Sequence, residues 1–145
     1  MIGDAAELVK QLDSAIRKFR LASNGTVFSG HGRGFSVVGS LQAEAERFIG
    51  LHYCYPGYIS TSSDKGKAEN FLRTRTGPVG TPVLLELQLD RGQHSLPMNA
   101  ATGQTGEAQY LLGRFLEFNV TNAKYVEIEG VVSDVLHLML RRSNR

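Results

Sequence analysis

The segment that is most informative about the fold is PGYISTS at residues 56–62. Proline fixes φ and glycine accepts unusual backbone angles, so the Pro-Gly pair predicts a turn. The following residues, 58–62, predict a short strand that ends in hydroxyl side chains. Asp64 is placed to cap a helix, and Ala68, Phe71 and Leu72 recur at helical spacing. A strand, a cap and a helix are therefore expected in quick succession.

The segments on either side extend this pattern into a domain. The first twenty residues predict an amphipathic helix behind Asp4, and a short strand starting at Thr26 leads into the glycine-dense residues 30–34. A second helix is predicted over residues 40–49. The later part predicts strands at 83–89, 115–120, 125–129 and 135–140, with a turn at Thr121-Asn122 and a long polar loop at 95–106. Helices come early and strands late, which indicates an α+β fold with a mostly antiparallel sheet.

Composition limits the function classes. The chain has 145 residues, of which 41% are hydrophobic, enough for one domain over residues 1–145. The net charge is only +2, and the sequence has no dense Lys/Arg stripe of the kind found in dedicated nucleic-acid binders. Nucleic acid is therefore not an expected partner. Cys54 is the single cysteine and, between Tyr53 and Tyr55, is expected to be packed. The histidines lack metal-ligand spacing, so no metal is expected. The segment shows neither a signal peptide nor an apolar run long enough for a membrane span.

Four segments in order resemble the arginine-serine-glutamate class of NAD-dependent mono-ADP-ribosyltransferase toxins. They are Arg33-Gly34, Ser60-Thr61-Ser62, Phe71 on the following helix, and Glu107-Ala108-Gln109 before Tyr110-Leu111-Leu112. The match spans residues 27–140. The resemblance implies an ADP-ribosyltransferase-like fold, in which two small, mostly antiparallel sheets form a cleft for NAD and the helices lie in the N-terminal half. NAD is then the co-substrate.

The reaction explains these residue types. Breaking the bond between nicotinamide and ribose leaves a cationic sugar, so the site must hold two phosphates and supply negative charge near the ribose. The resemblance assigns the phosphates and ribose to Arg33, the ribose and the orientation of the acid to Ser60, and stabilisation of the cation to position 109. Gly34, Thr61, Ser62 and Phe71 complete the NAD-binding set that the resemblance implies.

The residue two positions before the catalytic acid selects the acceptor in the family. Glu107 stands there, which by resemblance favours an arginine of a target protein, because a guanidinium reacts poorly unless a carboxylate orients it and takes its proton. Position 109 holds Gln where the resemblance expects Glu. Glutamine keeps the shape and loses the charge, so this form is expected to bind NAD and to be catalytically disabled, either by engineering or as a natural pseudoenzyme.

The arginine has two possible registers. Arg33 is the expected phosphate ligand, but Phe28-Ser29-Gly30 also resembles the family's aromatic-Arg-Gly, with Ser29 in the arginine's place. In that second register, Ser29 or His31 lies near the nucleotide and Arg33 contributes from a loop.

The expected function is therefore transfer of ADP-ribose from NAD to a protein arginine. A NAD glycohydrolase and a NAD-binding pseudoenzyme or interaction module are the alternatives. The resemblance further suggests an antibacterial effector delivered by type VI secretion, acting in the cytoplasm of a target cell. Its target would be an essential protein such as the bacterial division GTPase, and its partner a cognate immunity protein that plugs the cleft.

Overall fold

The structure of the chain is a computed structural model that describes residues 2–31, 45–75, 82–98, 108–131 and 134–143. Within these ranges the regular structure consists of two α-helices, one short 3₁₀ helix and eight strands. They are α1 Ile2–Arg17, β1 Gly25–His31, the 3₁₀ helix Glu46–Phe48, β2 His52–Tyr55, β3 Ile59–Ser62, α2 Lys65–Arg75, β4 Val83–Leu89, β5 Ser95–Pro97, β6 Gln109–Leu112, β7 Leu116–Val126 and β8 Val135–Arg142. The described helices all precede β4, which confirms the expected α+β order.

The strands form one hydrogen-bonded sheet in the order β2-β7-β8-β4-β1-β3-β6-β5. Every neighbouring pair is antiparallel except β4 and β8, so the mostly antiparallel sheet is confirmed. β1 pairs with β4 along its whole length but meets β3 at a single position, Phe28 opposite Ser62. Where two small sheets were expected, the strands form one mixed sheet whose two halves are joined at this one pairing.

The hydrophobic core lies on both sides of β4. Leu85 and Leu87 belong to the larger core cluster, whereas Leu84 packs with Ala68 and Leu72 of α2 in a second cluster. Residues 83–85 are consequently buried on both faces of the sheet, although the alternating sequence predicts a half-buried strand. Because α2 covers the second face, its position relative to the sheet is fixed by apolar packing.

Three predicted elements differ from those observed. The turn expected at Thr121-Asn122 is a bulge inside the continuous strand β7, where Asn122 Oδ1 accepts a hydrogen bond from the Ala123 N–H at 2.9 Å. The loop was expected to begin at Ser95, but Ser95–Pro97 form the strand β5. β5 is an edge strand, where Pro97 is tolerated because no N–H donor is needed on the free side of the sheet. The helix predicted at 40–49 has residues 40–44 outside the described part, and its described end is the 3₁₀ helix.

Candidate functional site

A cavity of about 500 Å³ opens where the two halves of the sheet meet. Its walls come from β1, β3, the first residue of β6 and α2. Ser62 stands at the junction, opposite Phe28 of β1 on one side and opposite Gln109 of β6 on the other. The topology thus brings together segments that lie far apart in the sequence.

The three residues of the Ser-Thr-Ser run have different roles in the structure. Thr61 is buried and its hydroxyl donates to the Tyr110 carbonyl at 2.9 Å. Ser62 is also buried, and its Oγ accepts a hydrogen bond from the Asp64 N–H at 3.0 Å. Ser60 is exposed, lines the cavity, and its hydroxyl forms no hydrogen bond within the described ranges. Ser60 is therefore the member of the run whose hydroxyl is available to a ligand.

Gln109 lines the same cavity at the start of β6. The residue before it, Ala108, is hydrogen-bonded twice to Ser63, which directly follows β3. The Ser63 N–H donates to the Ala108 carbonyl at 2.8 Å, and the Ala108 N–H donates to Ser63 Oγ at 2.9 Å. The Gln109 carbonyl accepts a further bond from the Met98 N–H at 2.8 Å. The main chain at position 109 is thus held firmly beside Ser62.

A hydrogen-bonded network links Ser29, His31 and Tyr55 at the β1 wall. The buried Ser29 hydroxyl donates to the Ser60 carbonyl at 2.8 Å, which uses its only proton. His31 Nε2, 3.1 Å from Ser29 Oγ, must then donate, and the Tyr55 hydroxyl donates to Nδ1 at 3.4 Å. Burial lowers the pKa of His31, which is consistent with this neutral ring.

Tyr55 is a site residue that the sequence motifs do not predict. It packs edge-to-face on His31 with ring centroids 5.3 Å apart. The alternation of HYCY at 52–55 could have indicated a strand. Its pairing with β7, more than sixty residues later, has no local signal. Cys54, expected to be packed, is exposed because it lies on the outer face of this edge strand.

Helix α2 forms the remaining wall. Asp64 caps it as expected, with Oδ1 accepting from the Gly66 N–H at 2.9 Å. Lys67, Ala68 and Phe71 line the cavity. Phe71, expected to point inward, is 43% exposed, while the adjacent Leu72 is fully buried. The core face of the helix is therefore the i, i+4 pair Ala68 and Leu72, and Phe71 belongs to the cavity instead.

Arg33, Gly34 and Glu107 lie outside the described residues. Within the described lining of the cavity, Lys67 carries the one permanent positive charge. Ser29 and His31, the residues of the second register, both line the cavity.

The family model described as ADP-ribosyltransferase exoenzyme matches residues 2–142 of the chain. The chain belongs to this family. The resemblance drawn from the Ser-Thr-Ser and Glu-x-Gln segments is thereby confirmed, and the chain is an ADP-ribosyltransferase of the toxin type. A search of curated protein sequences found no match.

Solved structures of bacterial toxins share the fold. Plx2a, an ADP-ribosyltransferase toxin from Paenibacillus larvae, is 23% identical with a TM-score of 0.74, covering 98% of this chain and 72% of that one. The C3 exoenzyme of Clostridium limosum is 18% identical with a TM-score of 0.69, covering 98% and 70%. C3stau2 from S. aureus, solved with NAD, is 17% identical with a TM-score of 0.62, covering 94% and 71%. These likenesses confirm the ADP-ribosyltransferase fold.

Membrane-spanning helices and metal clusters can be assessed for residues 2–31, 45–75, 82–98, 108–131 and 134–143. None of the helices in these ranges is long and apolar enough to cross a membrane. The same ranges hold no group of three or more His, Cys, Asp or Glu side chains that could bind a metal ion.

Proposed function

We propose that the chain, as a single domain over residues 1–145, binds NAD in the cavity between β1, β3, β6 and α2. We further propose that it transfers ADP-ribose to an arginine of a target protein when glutamate stands at position 109. The observation that carries this proposal is the pairing of Ser62 with Gln109, which sets position 109 and the exposed Ser60 hydroxyl on one cavity. That pairing supplies the two features the chemistry needs, a polar hold on the ribose and a site for negative charge.

In the proposed reaction, the bond from ribose C1′ to the nicotinamide nitrogen breaks and its electron pair leaves with nicotinamide. A guanidine nitrogen of the acceptor then bonds to C1′, and Glu107 takes the proton that this nitrogen loses. A carboxylate at 109 would stabilise the cationic ribose before the acceptor attacks. Ser60 would orient that ribose from β3.

Glutamine at 109 supports a disabled form. Its amide can still hydrogen-bond a ribose hydroxyl, so NAD affinity should remain, but a neutral group stabilises the developing cation poorly. Removing one preorganised electrostatic contact typically costs about 10²- to 10³-fold in kcat. We therefore expect the Gln109 form to bind NAD with little turnover.

The first test compares the chain with its Gln109→Glu variant, using labelled NAD and a bacterial lysate. The Glu variant should label protein and release nicotinamide, and the label should be removed by hydroxylamine, as arginine adducts are. Gln88→Glu is the matched control, because this exposed residue of β4 lies outside the cavity and takes the same charge change. Labelling by the control to the same degree would contradict the role of position 109.

The two alternatives separate in the same experiment. A NAD glycohydrolase would release nicotinamide from the Gln109→Glu form without labelling protein. A NAD-binding pseudoenzyme would show a rise in melting temperature with NAD but neither labelling nor release in either form. No thermal response to NAD in either form would remove the cavity assignment itself.

The phosphate contact has its own test. We propose that Arg33 binds the NAD phosphates, since a guanidinium fork suits paired phosphate oxygens. Arg33→Gln should then weaken NAD binding by about tenfold or more, the loss expected for one charge-assisted contact. Lys67→Gln and Lys65→Gln form a matched pair on α2, since Lys67 lines the cavity and Lys65 does not. Unchanged affinity in Arg33→Gln with a loss in Lys67→Gln would instead assign the phosphate contact to Lys67.

The setting we propose is that of an exported antibacterial effector acting in the cytoplasm of a target cell. Type VI secretion would be its route, an essential protein such as the division GTPase its target, and an immunity protein plugging the cavity its partner. The match to a toxin family supports a toxin role, and the antibacterial target, the type VI route and the immunity partner rest on the sequence resemblance alone. Co-expression that rescues growth of a strain producing Gln109→Glu would identify the immunity protein.

A further inference from the structure

A second cavity, of about 450 Å³, lies at the end of the molecule where α1 approaches the turns after β4 and β6. Its lining residues come from the C-terminal half of α1, from residues 92–94 and 113–116, and from Arg142 on β8. None of these residues lines the cavity proposed for NAD. The two cavities are therefore separate sites.

The charges around this second cavity do not balance. Among the described residues, it is lined by three guanidinium groups and a single carboxylate, that of Asp13. Asp13 is already occupied, because Oδ2 accepts from Arg114 Nη2 at 2.6 Å and Oδ1 accepts from the Tyr58 hydroxyl at 2.7 Å. Arg114 is thus neutralised, and the positive charges of Arg17 and Arg142 are left.

Arg142 has the stronger need for a counter-charge. Its Nη1 donates to the neutral Gln93 Oε1 at 3.2 Å, and its buried Nε has no hydrogen-bond partner in the described part of the chain. Glu117 on the neighbouring strand attracts it, but the Glu117 carboxylate is engaged by His52 Nε2 at 3.0 Å. A guanidinium that is partly withdrawn from water without a direct counter-ion is destabilising. A negative group in the cavity would offset this cost.

Arg17 adds a second charge from the exposed end of α1. Within the described ranges, its guanidinium forms no hydrogen bond or ion pair. Its charge helps to lower the pKa of Asp13, but the hydrogen bonds from Arg114 and Tyr58 have larger effects on that pKa. Asp13 is therefore already engaged by other groups. A flexible guanidinium at the mouth of a cavity can reach an incoming anion with its planar fork of donors.

The rim of the cavity is aromatic. Phe115 is 60% exposed and has a φ of 57°, in the left-handed region that a bulky residue rarely adopts. The Arg114 guanidinium lies 5.4 Å from its ring centroid. This conformation keeps an apolar ring beside a positively charged cavity, an arrangement suited to an anionic group attached to an apolar one.

We propose that this second cavity binds an oxyanion, a phosphate or a carboxylate group, with Arg17 and Arg142 as its counter-charges. The site lies outside the cavity proposed for NAD. Both guanidiniums can form paired N–H···O bonds to such a group, which are stronger than bonds between neutral partners.

The test is a titration of the ¹⁵N-labelled protein with inorganic phosphate, and in parallel with citrate as a carboxylate probe, followed by NMR. Saturable shifts are expected for the Gly92 and Gly113 amides and for the Arg142 Nε–H signal. The probe that saturates at lower concentration identifies the preferred group. Shifts confined to Ser62 and Gln109 would place the anion in the NAD cavity and overturn the proposal, as would an absence of saturable shifts with both probes.

A pair of variants separates a built site from diffuse attraction. Arg17 is exposed, so Arg17→Gln should fold, and it should weaken binding by about tenfold, as loss of a charge-assisted hydrogen bond would. Arg141→Gln removes the same charge from the neighbouring, 64% exposed side chain on β8 and should leave affinity within about twofold. Equal weakening by both variants would mean general electrostatic attraction and contradict the site. NAD binding, measured on the same samples, reports separately on the proposed function.

Discussion

Gly30 lies where the strand and helix walls of the cavity proposed for NAD approach closely. A Cβ at this position would lie 2.5 Å from the Ala68 carbonyl oxygen and 3.2 Å from Leu72 Cγ. Both contacts belong to α2, and the first is to backbone that cannot rotate away. Only glycine lets β1 and α2 pack at this distance.

Gly30→Ala should therefore push α2 away from the sheet. We expect a loss of about 1–3 kcal/mol in the free energy of unfolding, the usual cost of overpacking, and weaker NAD binding because the cavity wall moves. Urea denaturation and a NAD titration measure the two effects. Gly25→Ala is the matched control on the same strand, because a Cβ there meets nothing within 4 Å. Equal losses in both variants would contradict the close-packing explanation.

At the residue scale, sequence motifs predict the site residues that carry chemistry. Ser60 and Gln109 line one cavity, and both come from segments whose residue types suit ribose binding. The motifs do not distinguish Ser60, which is open to the cavity, from Thr61 and Ser62, whose hydroxyls hold the scaffold. That difference arises from the strand pairing and from the turn into α2, which local sequence does not specify.

At the element scale, the start of α2 controls how Lys67 and Phe71 reach the cavity. Asp64 accepts from the Gly66 N–H, which satisfies one of the unpaired donors of the first helical turn. Asp64→Ala should remove this cap and destabilise the protein by about 1 kcal/mol. Fraying of the first turn should also weaken NAD binding, since Lys67 lies in that turn. Chemical denaturation and the NAD dissociation constant check both outcomes.

Asp64→Asn is the control for this prediction, because asparagine keeps the side-chain oxygen that caps the helix. It should retain most of the stability and of the NAD affinity that alanine loses. A loss of the same size in the Asn variant would mean that the charge of Asp64, and not its cap, is what matters.

The elements that the sequence mispredicts are those decided by distant partners. Thr121-Asn122 has the composition of a turn, yet β7 continues through it because β8 pairs with β7 both before and after this bulge. β5 exists because its three residues pair with β6 at the sheet edge. Periodicity identifies α1 and β4, whose apolar positions repeat often enough to be recognised.

For the whole molecule, the half-buried His31 and the buried His137, on different strands of the sheet, predict a common pH dependence. Burial lowers the pKa of His31, and burial also lowers that of His137, against the opposing effect of Glu86 at 3.2 Å. In the unfolded chain both would titrate near the ordinary value of 6.5. As pH falls through 6.5, the unfolded state therefore takes up protons before the folded state does.

The free energy of unfolding should accordingly be highest above this range and fall as the pH is lowered from 7.5 to 5.5, a window set by the unfolded value of 6.5. The Asp13 carboxyl does not interfere, since its lowered pKa places its titration below the ordinary value of 3.8. Urea denaturation at several pH values measures the slope. His31→Gln and His137→Gln should each make the slope shallower, because each removes one group that the fold keeps neutral. An unchanged slope in both variants would assign the acid sensitivity to groups other than these two rings.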